Sequence, residues 1–186
     1  VDNNELALLM TPTALKLLDE QPEYNSRVDV VRTVADLRKA GHSPELVAAV
    51  LTQSKLRSKA RTKFGDFAAR MLFTEAGLEQ ATRLRVAALH AGRFADAGIT
   101  RVADLGCGIG ADALALSALD ITVTAVEQDS VTAVIAAYNL AAFSDTTVVH
   151  GTAEDTDLDS VDGVYLDPAR RTAGHSNTSR LTDPND

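Results

Sequence analysis

Three stretches of the chain gather residue types that can bind and react. In VADLGCGIGADALAL, residues 102–116, Gly106, Gly108 and Gly110 stand at alternate positions. Glycine lets the backbone bend sharply and approach a ligand with no Cβ in the way. The main-chain N–H groups of such a bend favour an anionic group. Read as G-x-G-x-x-A through Ala111, the stretch meets the dinucleotide spacing, in which it would cradle a pyrophosphate. Asp104, two residues before the first glycine, argues otherwise, because a carboxylate facing the ligand suits an ammonium and suits a pyrophosphate poorly. Glu127 ends the β-branched run ITVTAVE, 23 residues after Asp104, where a carboxylate accepts hydrogen bonds from both hydroxyls of a ribose. Together the two acids describe an amino-acid head joined to a nucleoside. Cys107, between two glycines, reads as a small filler of the bend and not as a nucleophile.

The second stretch is YLDPARR, residues 165–171. Pro168 fixes the backbone after Asp167, so that a carboxylate and a rigid carbonyl can face a reacting atom. The third is HGTAED, residues 150–155, a turn after the run TTVVH that offers Thr152, Ala153, Glu154 and Asp155 to a ligand; His150 itself reads as a strand-end residue. Earlier in the chain, Phe73 and Thr74 precede a helical pattern in the positions of a hydrophobic staple and an N-cap.

These residues need elements to position them. From 99 onward, strands at 101–105, 121–127, 146–150 and 163–166 alternate with helices at 111–119 and 130–143, which predicts parallel βαβ units. Residues 1–97 read as helical. Thr11-Pro12 and Ser43-Pro44 are cap-and-proline helix starts, Asn25 can cap a helix that ends at Gly41, and one long helix is expected from about 78 to 95. The fold class is therefore α/β: an all-helical domain, 1–97, then a Rossmann-like domain, 98–170, and an irregular tail, 171–186. Four strands make about half of a doubly wound sheet, which leaves an open edge and leads to the expectation of a truncated piece of a longer protein.

The 186 residues are 45% apolar and 24% charged, a globular composition. One cysteine closes no internal disulfide, no cluster has metal-ligand spacing, and no run is long and apolar enough for a membrane span. The expectation is a cytoplasmic protein with no metal and no membrane partner; the sequence leaves its oligomeric state open. The net charge of −8 is uneven, at −3 for residues 1–54, +6 for 55–93 and −11 for 94–186. The basic segment opens KLRSKARTKF, with Lys55, Arg57, Lys59, Arg61 and Lys63 at alternate positions, and continues through Arg70, Arg83, Arg85 and Arg93. It forms either a solvated face or a surface that neutralises RNA phosphates.

The D-x-G-x-G-x-G of Asp104–Gly110, with Glu127 closing the next strand, resembles the Rossmann-like S-adenosylmethionine-dependent methyltransferases over residues 102–170. That resemblance implies S-adenosylmethionine as cofactor, with Asp104 at its ammonium, Gly106, Cys107, Gly108 and Gly110 along it, Glu127 at the ribose, Gln128 among the cofactor-binding residues, and the adenine contact open among Thr152, Ala153, Glu154 and Asp155. Thr152 departs from the aspartate common there. D-P-A-R at 167–170 resembles the tetrapeptides of methyltransferases acting on nucleic-acid bases or amide nitrogens, which implies catalytic roles for Asp167 and Pro168. Arg170 is shared with the uracil-C5 enzymes, but their later nucleophilic cysteine has no counterpart here. Phe73-Thr74 resembles the Phe-Thr or Phe-Gln pair that packs on the cofactor in several RNA methyltransferases. The whole arrangement is also similar to a bacterial methyltransferase family with a THUMP-like RNA-binding region. The implied activity is RNA methylation at a base or exocyclic nitrogen. The alternatives are a non-catalytic cofactor-binding module and a nicotinamide-dependent oxidoreductase.

Overall fold

The computed structural model describes residues 1–21 and 27–167. Four helices come first: α1 (Asn3–Leu9), α2 (Pro12–Asp19), α3 (Arg27–Lys39) and α4 (Pro44–Phe64). Thr11 and Ser43 cap α2 and α4 by accepting hydrogen bonds from the N–H groups of Ala14 and Leu46, with proline in the first turn of each helix. Asn25, the expected cap of α3, lies outside the described residues. The sequence pattern had not marked α1, which Asp2 caps through the Glu5 N–H.

Helix α4 is 21 residues long, roughly 30 Å at the usual rise, and α1, α2 and α3 pack on it. Its buried stripe runs Val47, Val50, Gln53, Leu56, Arg57, Ala60 and Phe64, so two polar side chains take core positions. A 3₁₀ turn (Gly65–Arg70) and an extended strap, Met71 to Thr74, follow.

The single helix expected over 78–95 is two, α5 (Glu75–Gln80) and α6 (Leu84–Asp96). The break comes from α4: the Lys63 ammonium donates to the carbonyls of Leu78, Glu79 and Ala81 at 2.8, 2.7 and 2.8 Å. A cation at the C-terminal carbonyls satisfies groups the next turn would otherwise take.

The sheet comprises β1 (Arg101–Leu105), β2 (Thr122–Glu127), β3 (Thr146–His150) and β4 (Gly163–Leu166), all parallel in the order β3-β2-β1-β4. Helices α7 (Ala111–Ser117) and α8 (Ser130–Leu140) make the crossovers, and α7 is buried at every residue. Side chains alternate between sheet faces. Val102, Val123, Ala125 and Tyr165 face one continuous core that extends from Leu6 in α1 to Leu140 in α8, so the helical part and the sheet share it. Ala103, Leu105 and Val126 face the other side, where Val149, Val164 and Leu166 remain exposed.

The strand order places β2 and β3 on one side of β1 and β4 on the other. In open α/β sheets ligands bind outside the carboxyl ends of the strands at such a reversal. Asp104 of β1 and Tyr165 of β4 are register partners there.

Candidate functional site

The bend between β1 and α7 takes its shape from three left-handed glycines, Gly106 at φ 80°, Gly108 at 57° and Gly110 at 89°. At Gly110 space is short as well, since a Cβ would lie 3.0 Å from a methyl of Leu140. Most of the bend's amides are already committed within the protein. The N–H groups of Gly106 and Cys107 both donate to the Val126 carbonyl, that of Gly108 to Glu127 Oε2 and that of Gly110 to the Cys107 carbonyl. The expectation of an amide cradle for an anion is corrected at these four positions.

Glu127 is buried, and its two oxygens accept from the backbone N–H groups of Gly108 at 3.0 Å and Asp129 at 2.8 Å. Two fixed donors orient the carboxylate and leave lone pairs on both oxygens. Beyond it the β2 and β3 ends are laced together: the Gly151 N–H donates to the Glu127 carbonyl, and His150 Nε2 lies 3.1 Å from the carbonyl of the exposed Gln128.

Asp104 is the unusual group. It is only 2% exposed, and its Oδ2 has no hydrogen-bond partner. Burial, then the charge of Asp112, and then those of Asp167 and Glu127 push its carboxyl up to about 7, with the Ala113 backbone amide pulling the other way. A buried carboxyl with one oxygen unpartnered, in a field of acids, suits a cationic group. Cys107 is buried beside it, and burial with the charges of Asp104 and Glu127 raises its thiol far above the ordinary value, which makes it inert as a nucleophile.

Other candidates from the sequence fall differently. Phe73 is completely buried, its ring 5.7 Å from that of Phe64, and it offers no surface to a ligand in this conformation. Thr74 caps α5 through the Gly77 N–H, the helix-start role. Thr152 is partly buried and its hydroxyl donates to Asp155 at 2.7 Å. Ala153 packs with Ala103, Leu105 and Val126, on the opposite face from Asp104 and Glu127. Asp167 is exposed at the end of β4, within electrostatic reach of Asp104 and Tyr165. Pro168, Arg170 and Arg171 lie outside the described residues. Among the described residues, no group of three or more acidic, His or Cys side chains is arranged to hold a metal, and no helix is long and apolar enough to cross a membrane.

Two amides that the motif reading missed join the strap to the bend. The Gln53 carboxamide makes paired hydrogen bonds with the Phe73 N–H and carbonyl, at 3.0 and 2.8 Å. Asn139 of α8 accepts from the Leu72 N–H at 2.8 Å and donates to the carbonyls of Leu72 and Ile109, at 3.1 and 2.9 Å. Gly77 of α5 sits against the same loop, where an added Cβ would fall 2.6 Å from an Ile109 methyl. Gln53 had a sequence signal, a polar residue on an apolar helical stripe; Asn139 had none. Two further residues, His90 and Asp112, pair at 2.9 Å next to Asp104.

Residues 2–60 match a domain of unknown function (DUF8688), and no curated protein matches the chain. Among solved structures, a Porphyromonas gingivalis W83 protein provisionally assigned as a methyltransferase aligns over 83% of this chain at 25% identity, with a TM-score of 0.57. The N-terminal domain of EvdMO1, solved with SAH and D-fucose, aligns over 42% of the chain at 24% identity and TM-score 0.37, and covers 37% of that chain. Coclaurine N-methyltransferase, bound to N-methylheliamine and SAH, aligns over 87% at 16% identity and TM-score 0.37, with 54% of it covered. The chain spans 37% of the length of the P. gingivalis protein. The fold, helical part and parallel sheet together, is methyltransferase-like.

Proposed function

We propose that the chain carries the cofactor site of an S-adenosylmethionine-dependent methyltransferase whose acceptor is an RNA base or exocyclic nitrogen. The observation that carries the reading is the buried carboxyl of Asp104, whose Oδ2 has no partner, beside the oriented carboxylate of Glu127, at the glycine bend. Asp104 supplies the anion for a ligand ammonium. Glu127 supplies two fixed acceptors for a ribose diol. The Asp104 carboxyl favours this ligand over a dinucleotide, whose diphosphate it would repel.

S-adenosylmethionine supplies an activated methyl on a positive sulfur, whose leaving group is a neutral thioether. The protein's task is then alignment more than acid–base help. Asp167, exposed at the β4 end and close enough to Asp104 to act on its charge, stands where an acceptor nitrogen can be held. RNA as acceptor is supported by a basic cluster: Lys59, paired with Glu79 at 3.6 Å, and Arg83 both lie near enough to Lys63 to affect its charge. Such a cluster can meet phosphates while the acidic site receives an unpaired base.

Titration calorimetry with S-adenosylhomocysteine and NAD side by side tests the cofactor. Binding of the first alone is expected, and Glu127→Ala should weaken it by roughly 1–3 kcal/mol, the scale of lost charged hydrogen bonds. Preference for NAD, or unchanged affinity in the variant, overturns the assignment.

A further inference from the structure

Behind Asp104 stands a polar cluster that no step of the proposed methyl transfer uses. His90 projects from α6, Asp112 from the first turn of α7 and Tyr165 from β4. His90 Nδ1 lies 2.9 Å from Asp112 Oδ1, and the Tyr165 hydroxyl lies 3.1 Å from the same nitrogen and hydrogen-bonds Asp112. The His90 and Tyr165 rings pack with centroids 5.4 Å apart. Asp112 is buried at 8% exposure, so its carboxylate is held from two sides in a place with little water. Tyr165 is the register neighbour of Asp104 across the strand-order reversal. Burial, and the charges of Asp112, Asp167 and Asp104, raise the Tyr165 phenol far above its ordinary value, so it stays a neutral donor.

We propose that His90, Asp112 and Tyr165 form a positioning network that fixes a second negative charge behind Asp104, and that this makes the site select a ligand with a compact cationic head. This rests on the cofactor reading above and deepens it. A single carboxyl in a dry site can remain protonated and accept a neutral hydroxyl or amide equally well. A second, immobile carboxylate adds its own attraction for an ammonium, because the cation then answers both charges. Among the described residues, the charges acting on Asp104 are those of Asp112 from α7, Asp167 beyond β4 and Glu127 from β2, and Asp104 acts in turn on the neutral Cys107 thiol and Tyr165 phenol. Among these groups none is a cation; His90 touches two of them, Asp112 at 2.9 Å and the Tyr165 hydroxyl at 3.1 Å.

The isosteric Asp112→Asn removes the charge and keeps an oxygen for His90 and Tyr165. Carbon-detected NMR of the Asp104 carboxyl in the ligand-free protein should show its titration near pH 7 moving to lower pH in Asp112→Asn. It should move to higher pH in Tyr165→Phe, which strips a donor from Asp112. Calorimetry then compares S-adenosylhomocysteine with 5′-methylthioadenosine, which lacks the amino-acid head. The preference for the first should fall several-fold in Asp112→Asn, with the second binding as before. If the carboxyl titrates at the same pH in both variants, the network has no hold on Asp104 and the proposal fails, whatever binds. If the titrations shift as stated but the wild-type protein binds no S-adenosylhomocysteine, it is the cofactor reading that fails and the electrostatic network that stands.

Discussion

A carboxyl held out of water among other carboxylates resists giving up its proton, and Asp104 does so up to about pH 7. Its value in the fold lies above the ordinary 3.8, so between about pH 4 and pH 7 the folded protein holds a proton that the unfolded chain has released, and stability falls as pH rises through that window. Asp104→Asn removes the group that must ionise. The ligand-free variant should therefore melt a few degrees above the wild type at pH 7.5 and close to it at pH 4.5, while binding S-adenosylhomocysteine more weakly. A scanning-fluorimetry pair at the two pH values checks this, and a variant that melts lower at pH 7.5 would show that Asp104 is not strained by its surroundings. The position of Asp104 and Glu127 was legible from spacing alone, because a strand, a glycine bend and a second strand end are local patterns. What each acid meets was not. The Gly108 and Asp129 amides on Glu127, and the missing partner of Asp104, depend on the path of the backbone in space. Phe73 shows the same limit from the other side: an aromatic before a helix start reads alike whether it faces a ligand or, as here, the ring of Phe64.

At the scale of elements, the end of one helix is made by the side chain of another. Lys63 reaches three carbonyls around the end of α5, and partial burial, with the nearby charge of Arg83, lowers its pKa. Lys63→Met keeps the aliphatic stem and removes the donors. It should cost about 1.5–3 kcal/mol, the range for a hydrogen-bonded charge, seen as a lower urea midpoint at unchanged slope. No glycine or proline between 78 and 95 marks the break except Gly92, well beyond it; the signal lies some fifteen residues upstream on α4. The alternation of Lys55, Arg57, Lys59, Arg61 and Lys63 misleads in a related way. On a helix a step of two residues turns about 200°, so the five charges do not share a face. Arg57 turns inward, donating to the Met71 carbonyl at 2.9 Å and pairing with Asp19 at 2.8 Å. The strand and crossover pattern, by contrast, was readable, because each β-branched run and each cap encodes its own element.

For the molecule as a whole, charge is divided between an acidic carboxyl edge of the sheet and a basic helical region. If the basic cluster meets RNA, Lys59→Glu combined with Arg83→Glu, which spares the Lys63 cap, should weaken RNA binding and flatten its salt dependence by roughly one unit of slope for each phosphate no longer neutralised. Filter binding at several salt concentrations is the check, and an unchanged slope would mark the cluster as ordinary surface. How the two halves meet was outside the reach of sequence reasoning, because the hydrogen bonds that decide it, Asn139 to Leu72 above all, join residues 67 positions apart. That one carboxamide has a wider consequence. It answers three main-chain groups, on the strap and on the bend, and the strap is held in turn by Gln53 of α4. Anyone transplanting the glycine bend onto another scaffold, or trimming the protein to its sheet, would leave Asn139 with two of those three groups gone. The helices ahead of the strands are thus scaffolding for the bend, and a minimal version of it has to begin inside α4.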